Sequence, residues 1–296
     1  MLKIWFLETR PQFLILSLIL AFLGTCIAWF YHDVLHWGYS LLAGCGLVLT
    51  HISVNTLNDY FDYQSGIDLQ TQKTPFSGGS GVLPSGLLKP RQVLWMGLIS
   101  LFMAAPIGLY FILVQGWLLL PLLVLAALCV VLYTPVILKT NWPEWSPGLG
   151  LGLLPVLGIY FSQTGTYTAS AFFAAVPSFI LVHNLLLLNE FPDVSADKTA
   201  GRKTLPIILG KPKAAMVYSA LTIFVYLWII GSVLAGIAPI WTLIGLLTLP
   251  FAIKAIRGSL KPDDMEFLVP AMGSNVVVVL ATQLLLGIGY ILAVVI

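Results

Sequence analysis

The sequence predicts an all-α integral membrane bundle that crosses a bilayer about nine times. Charged residues make up only 9% of the 296 and hydrophobic residues 59%, whereas an ordinary soluble domain is roughly a quarter charged. The apolar residues are gathered into runs of about 20, the length a helix needs to cross the hydrocarbon core. The basic residues fall in alternate connections between those runs, as a chain threaded back and forth across a membrane requires. The reading is of one domain over residues 1–296.

The apolar runs lie at about 11–31, 39–60, 92–113, 117–138, 148–163, 170–190, 213–235, 239–257 and 267–295. The first opens on Pro11, which suits a first helical turn. It carries no cleavage pattern and is expected to stay in place. The fifth is short and rich in Gly and Pro. Pro106, Pro155, Pro177 and Pro250 fall inside runs, where neighbouring helices can satisfy the freed backbone groups. Lys3 and Arg10 precede the first run. Lys73, Lys89 and Arg91 follow the second, and Lys139 the fourth. Lys198, Arg202, Lys203, Lys211 and Lys213 fall between the sixth and seventh, and Lys254, Arg257 and Lys261 at the junction of the eighth and ninth. All fourteen basic residues therefore share one side. The positive-inside rule makes that side cytoplasmic, with the C-terminus outside. Trp117 and Trp241 on one side, and Trp142 and Trp145 on the other, read as interfacial anchors. Cys26, Cys45 and Cys129 are isolated in apolar runs and suggest neither disulfides nor zinc.

The second and sixth runs end on that same side in polar phrases. The first phrase is Asn55-Thr56-Leu57-Asn58-Asp59-Tyr60-Phe61-Asp62, with His51 one turn earlier. On a helix, His51, Asn55, Asp59 and Asp62 share one face. The second is Asn189-Glu190-Phe191-Pro192-Asp193-Val194-Ser195-Ala196-Asp197, in which Asn189, Asp193 and Asp197 repeat at four residues and Pro192 restarts the helix. Carboxylates at the ends of apolar helices are costly to desolvate unless something cationic compensates them. Hard oxygen ligands without nearby Cys or His favour Mg²⁺ over zinc, and Mg²⁺ takes one or two protein carboxylates and completes its shell with phosphate oxygens and water. Lys73, Lys139, Lys198, Arg202 and Lys203 stand nearby to meet anionic charge, so the pattern suits a diphosphate gripped through metal. A cation pathway would instead place carboxylates near the bilayer midplane.

Other polar features carry plainer readings. Phe76-Ser77-Gly78-Gly79-Ser80-Gly81 reads as a flexible loop, with an anion-binding nest as the alternative. His51 and His183 read as hydrogen-bonded packing residues, and Glu144 as a solvated interfacial charge. Asp263, Asp264 and Glu266 read as an acidic start to the last helix, favoured by its dipole.

The polar phrases resemble a known family. Asn58-Asp59-x-x-Asp62, continuing to Gly66-x-Asp68, is similar to the first aspartate-rich motif of the UbiA superfamily of intramembrane prenyltransferases. Asp193-x-x-x-Asp197, followed by Gly201-Arg202-Lys203-Thr204-Leu205-Pro206, is similar to its second. The likeness covers the whole chain from Arg10-Pro11 onward, and within the superfamily it is nearest to the 1,4-dihydroxy-2-naphthoate prenyltransferases. The commoner first motif has a third aspartate where this chain has Gly66; here Asp68 follows instead, which speaks against a 4-hydroxybenzoate enzyme.

The resemblance implies transfer of a polyprenyl group from an allylic polyprenyl diphosphate to an aromatic acceptor, with Mg²⁺ as cofactor, in menaquinone or phylloquinone synthesis. Asp59, Asp62, Asp193 and Asp197 would be catalytic. Asn58, Asp59, Asp62, Asp68, Asp193 and Asp197 would hold metal. Arg10, Asn55, Asn58, Lys73, Lys139, Lys198, Arg202 and Lys203 would bind the diphosphate. Tyr60, Phe61 and Tyr133 are candidates to face the allylic cation. Homogentisate, 4-hydroxybenzoate and other acceptors of the superfamily remain open, as does oligomeric state. The expected setting is a prokaryotic inner or plasma membrane, multi-pass, with no nucleic-acid partner.

Overall fold

The computed structural model describes residues 1–69 and 74–296 of the chain. Among these, all regular structure is helical. The elements are α1 (Leu2–Glu8), α2 (Pro11–His32), α3 (Trp37–Ser65), α4 (Pro90–Gln115), α5 (Trp117–Leu132), α6 (Trp145–Thr164), α7 (Ala169–Asn189), α8 (Val194–Thr199), α9 (Leu205–Ile208), α10 (Lys211–Leu234), α11 (Ile240–Ser259) and α12 (Met265–Val295). Eight of them are long and apolar enough to cross a membrane, and α5 is a shorter apolar helix. These nine segments coincide with the nine runs of the sequence.

The differences lie at the ends. α3 runs past its apolar stretch to Ser65, so the whole first phrase is helical. It stops at Gly66, whose φ of +76° supplies the left-handed cap that a side chain would resist. α5 stops at Leu132, earlier than expected, because Pro135 cannot donate to the helix and crowds the residue before it. The chain then turns through Ile137–Lys139 as a short 3₁₀ segment. The helix α1 had no counterpart among the apolar runs. Arg10 joins it to α2 with φ +54°, a conformation that costs a non-glycine residue energy and turns the chain sharply.

The core forms where α2, α6, α7 and α12 meet. Leu20, Leu23, Ile27, Val156, Tyr160, Ala175 and Val279 are buried there together. Gly24 permits a close approach of α2 to α6: a Cβ at that position would lie 2.8 Å from both the Ile159 Cβ and the Val156 carbonyl oxygen. Outward, Phe102 and Leu113 of α4 and Leu227 of α10 stay exposed. Apolar residues facing outward on a spanning helix meet lipid, so their exposure carries no hydrophobic penalty.

Candidate active site

The first polar phrase hangs on the inner face of α3. His51, Asn55, Asp59 and Asp62 are all buried on it, as their spacing predicts. Ser17 Oγ lies 2.8 Å from His51 Nδ1, so that histidine is a satisfied packing residue. The Asn55 amide donates to the Thr9 carbonyl at 3.0 Å and ties α3 to the turn before α2. Arg10 Nη1 stands 3.7 Å from Asp59 Oδ1. The Asn58 amide donates both to Asp62 Oδ2 at 3.2 Å and to Thr134 Oγ1 at 3.0 Å, which recruits the turn after α5.

The Phe76–Gly81 segment lies over these carboxylates. The Ser80 N–H donates to Asp59 Oδ2 at 2.8 Å, and the Ser80 hydroxyl donates to Glu8 Oε2 at 2.7 Å. A Cβ on Gly79 would sit 3.3 Å from Asp59 Oδ1 and 3.4 Å from Asp68 Oδ1. Two aspartates expected near one another thus lie against the same bare stretch of backbone. Gly78, Gly79 and Gly81 all have positive φ, which explains the glycine content of the loop. Ser77 also stands against the Asp193 carboxyl, so one loop touches both polar phrases. Glu8 is fully buried, and burial together with the neighbouring Asp59 charge pushes its carboxyl up to about 8.

The second phrase leaves α7 at Asn189 and turns through Pro192. It restarts at Asp193, which precedes the first residue of α8. Burial and the adjacent Asp197 raise the Asp193 carboxyl to about 7. Arg202 is the bridge between the phrases: its guanidinium donates to Asp197 Oδ1 at 2.8 Å and to Asp62 Oδ1. The segment carrying Arg202 is itself pinned. The Lys203 N–H donates to the Leu138 carbonyl at 3.1 Å, and the Leu205 N–H donates to Glu144 Oε1 at 2.6 Å.

Glu144 corrects the expectation of a solvated charge. It is fully buried, it accepts the Leu205 N–H, and its carboxyl lies against that of Glu190. Burial raises both carboxyls, and the Glu144 charge raises Glu190 further. Two buried carboxyls so placed are stable when they share a proton.

Of the other expected residues, Lys139, at the end of the 3₁₀ turn, Lys198, on α8, and Lys203 are all exposed, and Lys73 lies outside the described residues. His183 accepts from the Trp142 indole N–H at 2.8 Å, and Asp264 caps α12 by accepting from the Glu266 N–H, both as expected. Glu8 and Thr134 were not singled out from the sequence, and Ser77 and Ser80 were read only as part of the Phe76–Gly81 loop. Each acts through loop geometry that carries no periodic signal.

Below the carboxylates is a cavity of about 150 Å³. Arg10, Asn55, Asn58, Tyr133 and Asn189 line its polar part, and Leu16, Val54, Val279 and Leu280 its apolar part. Tyr133 therefore faces it, whereas Tyr60 packs against Val82 and Leu88 instead. Asp59 Oδ1, Asn189 Oδ1 and Asp193 Oδ1 are buried acceptors without a hydrogen-bond donor. Such all-oxygen donors fit Mg²⁺. Among the described residues, no group of three or more His, Cys, Asp or Glu is arranged to hold a metal ion.

Comparison with known proteins points the same way. The model of the UbiA prenyltransferase family matches residues 17–268. The chain is 30% identical to a 1,4-dihydroxy-2-naphthoate octaprenyltransferase of Bacillus subtilis over 90% of this chain and 85% of that protein. It is 25% identical to the Escherichia coli protein of the same name over 98% and 95%. Among solved structures, the apo structure of a UbiA homolog from Aeropyrum pernix superposes with a TM-score of 0.72 at 17% identity, covering 96% of this chain and 98% of that one. A UbiA homolog from Archaeoglobus fulgidus bound to DMAPP and Mg²⁺ superposes with a TM-score of 0.65 at 14% identity, covering 92% and 98%.

Proposed function

Since this chain belongs to the UbiA prenyltransferase family, we propose that it transfers a polyprenyl group from an allylic diphosphate to 1,4-dihydroxy-2-naphthoate, as a step of menaquinone or phylloquinone synthesis. The observation that carries this reading is the Arg202 bridge. It joins Asp62 to Asp197 across 135 positions of sequence, beside a largely apolar cavity. An anionic head and an apolar tail need such a junction. The names of the Bacillus subtilis and Escherichia coli relatives support the naphthoate acceptor.

Asn58, Asp59, Asp62 and Asp68 on one side, with Asp193 and Asp197 on the other, would hold Mg²⁺. When bound, that ion neutralises the diphosphate and stabilises it as a leaving group. Arg202 and Arg10 then receive the diphosphate oxygens through charge-assisted hydrogen bonds, with Lys139, Lys198, Lys203 and Lys73 adding charge from the loops. The allylic C–O bond breaks and the diphosphate leaves with the electron pair. The apolar walls keep water from the allylic cation, and the Tyr133 ring offers it a π face. The electron-rich ring attacks the cation at the carbon bearing its carboxylate, and the carboxylate departs as carbon dioxide. The side carrying these residues is cytoplasmic in this reading, and the membrane is the inner or plasma membrane.

The test uses membranes containing the protein, Mg²⁺ and labelled geranylgeranyl diphosphate, with 1,4-dihydroxy-2-naphthoate, 4-hydroxybenzoate or homogentisate as acceptor. The expected result is a prenylated naphthol that Asp62→Asn and Asp193→Asn abolish. Product formed only with another acceptor overturns the naphthoate assignment. Absence of product and of released diphosphate with every acceptor overturns the transferase reading for these substrates.

A further inference from the structure

An open groove of about 720 Å³ runs down the outside of the bundle where α1 meets the first turns of α4. On α4, Arg91, Trp95 and Ile99 follow one another at four residues, and so do Gln92, Met96 and Ser100. The six therefore form two adjacent ridges of one helix face. Lys89 and Arg91 stand at the start of the helix, and α4 rises roughly 12 Å from Arg91 to Ile99. Over that distance the lining passes from cations to hydrocarbon. Ser100 ends it, and its hydroxyl is satisfied within the helix by donating to the Met96 carbonyl at 2.8 Å.

The groove is built on fixed parts. Gln92 Oε1 accepts from the Lys89 N–H at 2.8 Å, which holds the turn that carries the two cations. Trp5 of α1 completes the lining and packs against the buried cluster of Val82, Leu83, Leu88 and Val93. The charges themselves are left over. Among the described residues the ion pairs belong to Arg10, Arg202 and Lys211, and neither Lys89 nor Arg91 is in one. Nor does any described carboxylate line the groove. The groove beside Lys254 and Arg257 on α11, by contrast, also contains Glu266.

Two uncompensated cations above an apolar wall, flanked by the indoles of Trp5 and Trp95, match an amphiphile with an anionic head. A spanning helix leaves the hydrocarbon near its end, where tryptophans collect and lipid phosphates lie. The neighbouring α1 keeps Leu2 and Phe6 exposed, as a helix seated in the membrane interface does. We propose that this groove binds one anionic phospholipid of the adjoining leaflet. Its phosphate is held by Lys89 and Arg91, and an acyl chain lies along Trp95, Met96 and Ile99. A zwitterionic lipid offers the same chain, but its ammonium group is repelled by the two cations. The site stands independently of the prenyltransferase reading.

The experiment titrates the purified full-length protein in detergent with phosphatidylglycerol or phosphatidylcholine of identical acyl chains, and native mass spectrometry counts the lipids retained. The wild type should retain one phosphatidylglycerol at least about tenfold more tightly than phosphatidylcholine. The double variant Lys89→Gln, Arg91→Gln should weaken phosphatidylglycerol about tenfold or more, the scale of two cations at an anionic surface, and leave phosphatidylcholine unchanged. The double variant Lys254→Gln, Arg257→Gln removes an equal charge elsewhere and should keep the tight phosphatidylglycerol. All four side chains are exposed, so neither variant disturbs packing. Equal retention of both lipids by the wild type overturns the proposal. Equal losses in the two variants overturn it in favour of diffuse charge attraction. Displacement of the lipid by millimolar glycerol phosphate would show that a free anion suffices, and overturns it too. A lipid-free dimer that only the Lys89 and Arg91 variant dissolves would give the groove to a second copy of the chain instead.

Discussion

At the scale of single residues, the site is governed by how its carboxylates are neutralised. Asp62 and Asp197 share one guanidinium, and the Arg202 side chain is only 13% exposed. Removing one partner of a buried ion pair leaves uncompensated charge, which costs far more than the pair itself contributes. Arg202→Ala should therefore lower stability by about 3 kcal/mol, the lower end for a broken buried pair. Arg202→Lys should restore little of it, because an ammonium cannot span two carboxylates as a planar fork does. If the same carboxylates take Mg²⁺, millimolar Mg²⁺ should raise the melting temperature of Arg202→Ala more than that of the wild type. Thermal unfolding in detergent with and without the ion measures this, and an equal response in both proteins counts against a shared metal role. The spacing of Asn55, Asp59 and Asp62 made this face legible from sequence. The partner of Asp62 was not, because no local rule connects position 62 to position 202.

At the scale of elements, the helices that cross the bilayer were readable and the pieces between them were not. Runs of about 20 apolar residues have one stable solution in lipid, and α2 to α7 and α10 to α12 follow from it. The short helix α1, the early end of α5 at Pro135 and the burial of Glu144 all depend on where a loop finds its hydrogen bonds. Glu8 is the clearest case. It fastens α1 to the Phe76–Gly81 loop through Ser80, and the same serine fastens the loop to Asp59 on α3. Its carboxyl titrates near 8 when folded, against an ordinary value of 4.5, so the folded protein binds this proton more tightly than the unfolded chain. The resulting stabilisation is complete below about 4.5 and is lost as pH rises toward about 8. Each unit of that gap is worth at most about 1.4 kcal/mol. Glu8→Gln keeps an oxygen to accept from Ser80 and removes the titration. Its melting temperature should fall less than that of the wild type between pH 5 and pH 8. Parallel curves for the two proteins would show that Glu8 is not the group responsible.

At the scale of the whole molecule, the distribution of charge sets how the bundle sits in its membrane. All fourteen basic residues fall at the ends of the bundle's spans on the side that also carries the two aspartate phrases. The opposite connections, Asp33–His36, Gly116, Gly165–Thr168 and Ala235–Pro239, contain none. We propose, from the retention of Lys and Arg on the cytoplasmic side, that the N-terminus and the carboxylates lie inside and Ile296 outside. This orientation also suits the chemistry, since a charged diphosphate would reach the site from water on one face while its tail lies among helices. It can be tested with single cysteines in a chain whose three native cysteines are replaced by serine. Ile296 is 78% exposed at the end of α12, so Ile296→Cys should react with a membrane-impermeant maleimide on intact cells. Lys3→Cys, in the exposed first turn of α1, should react only after the membrane is opened. The reverse pattern would place the carboxylates outside. Labelling of both positions on intact cells would mean that the number of crossings is even rather than nine, with both ends of the chain outside.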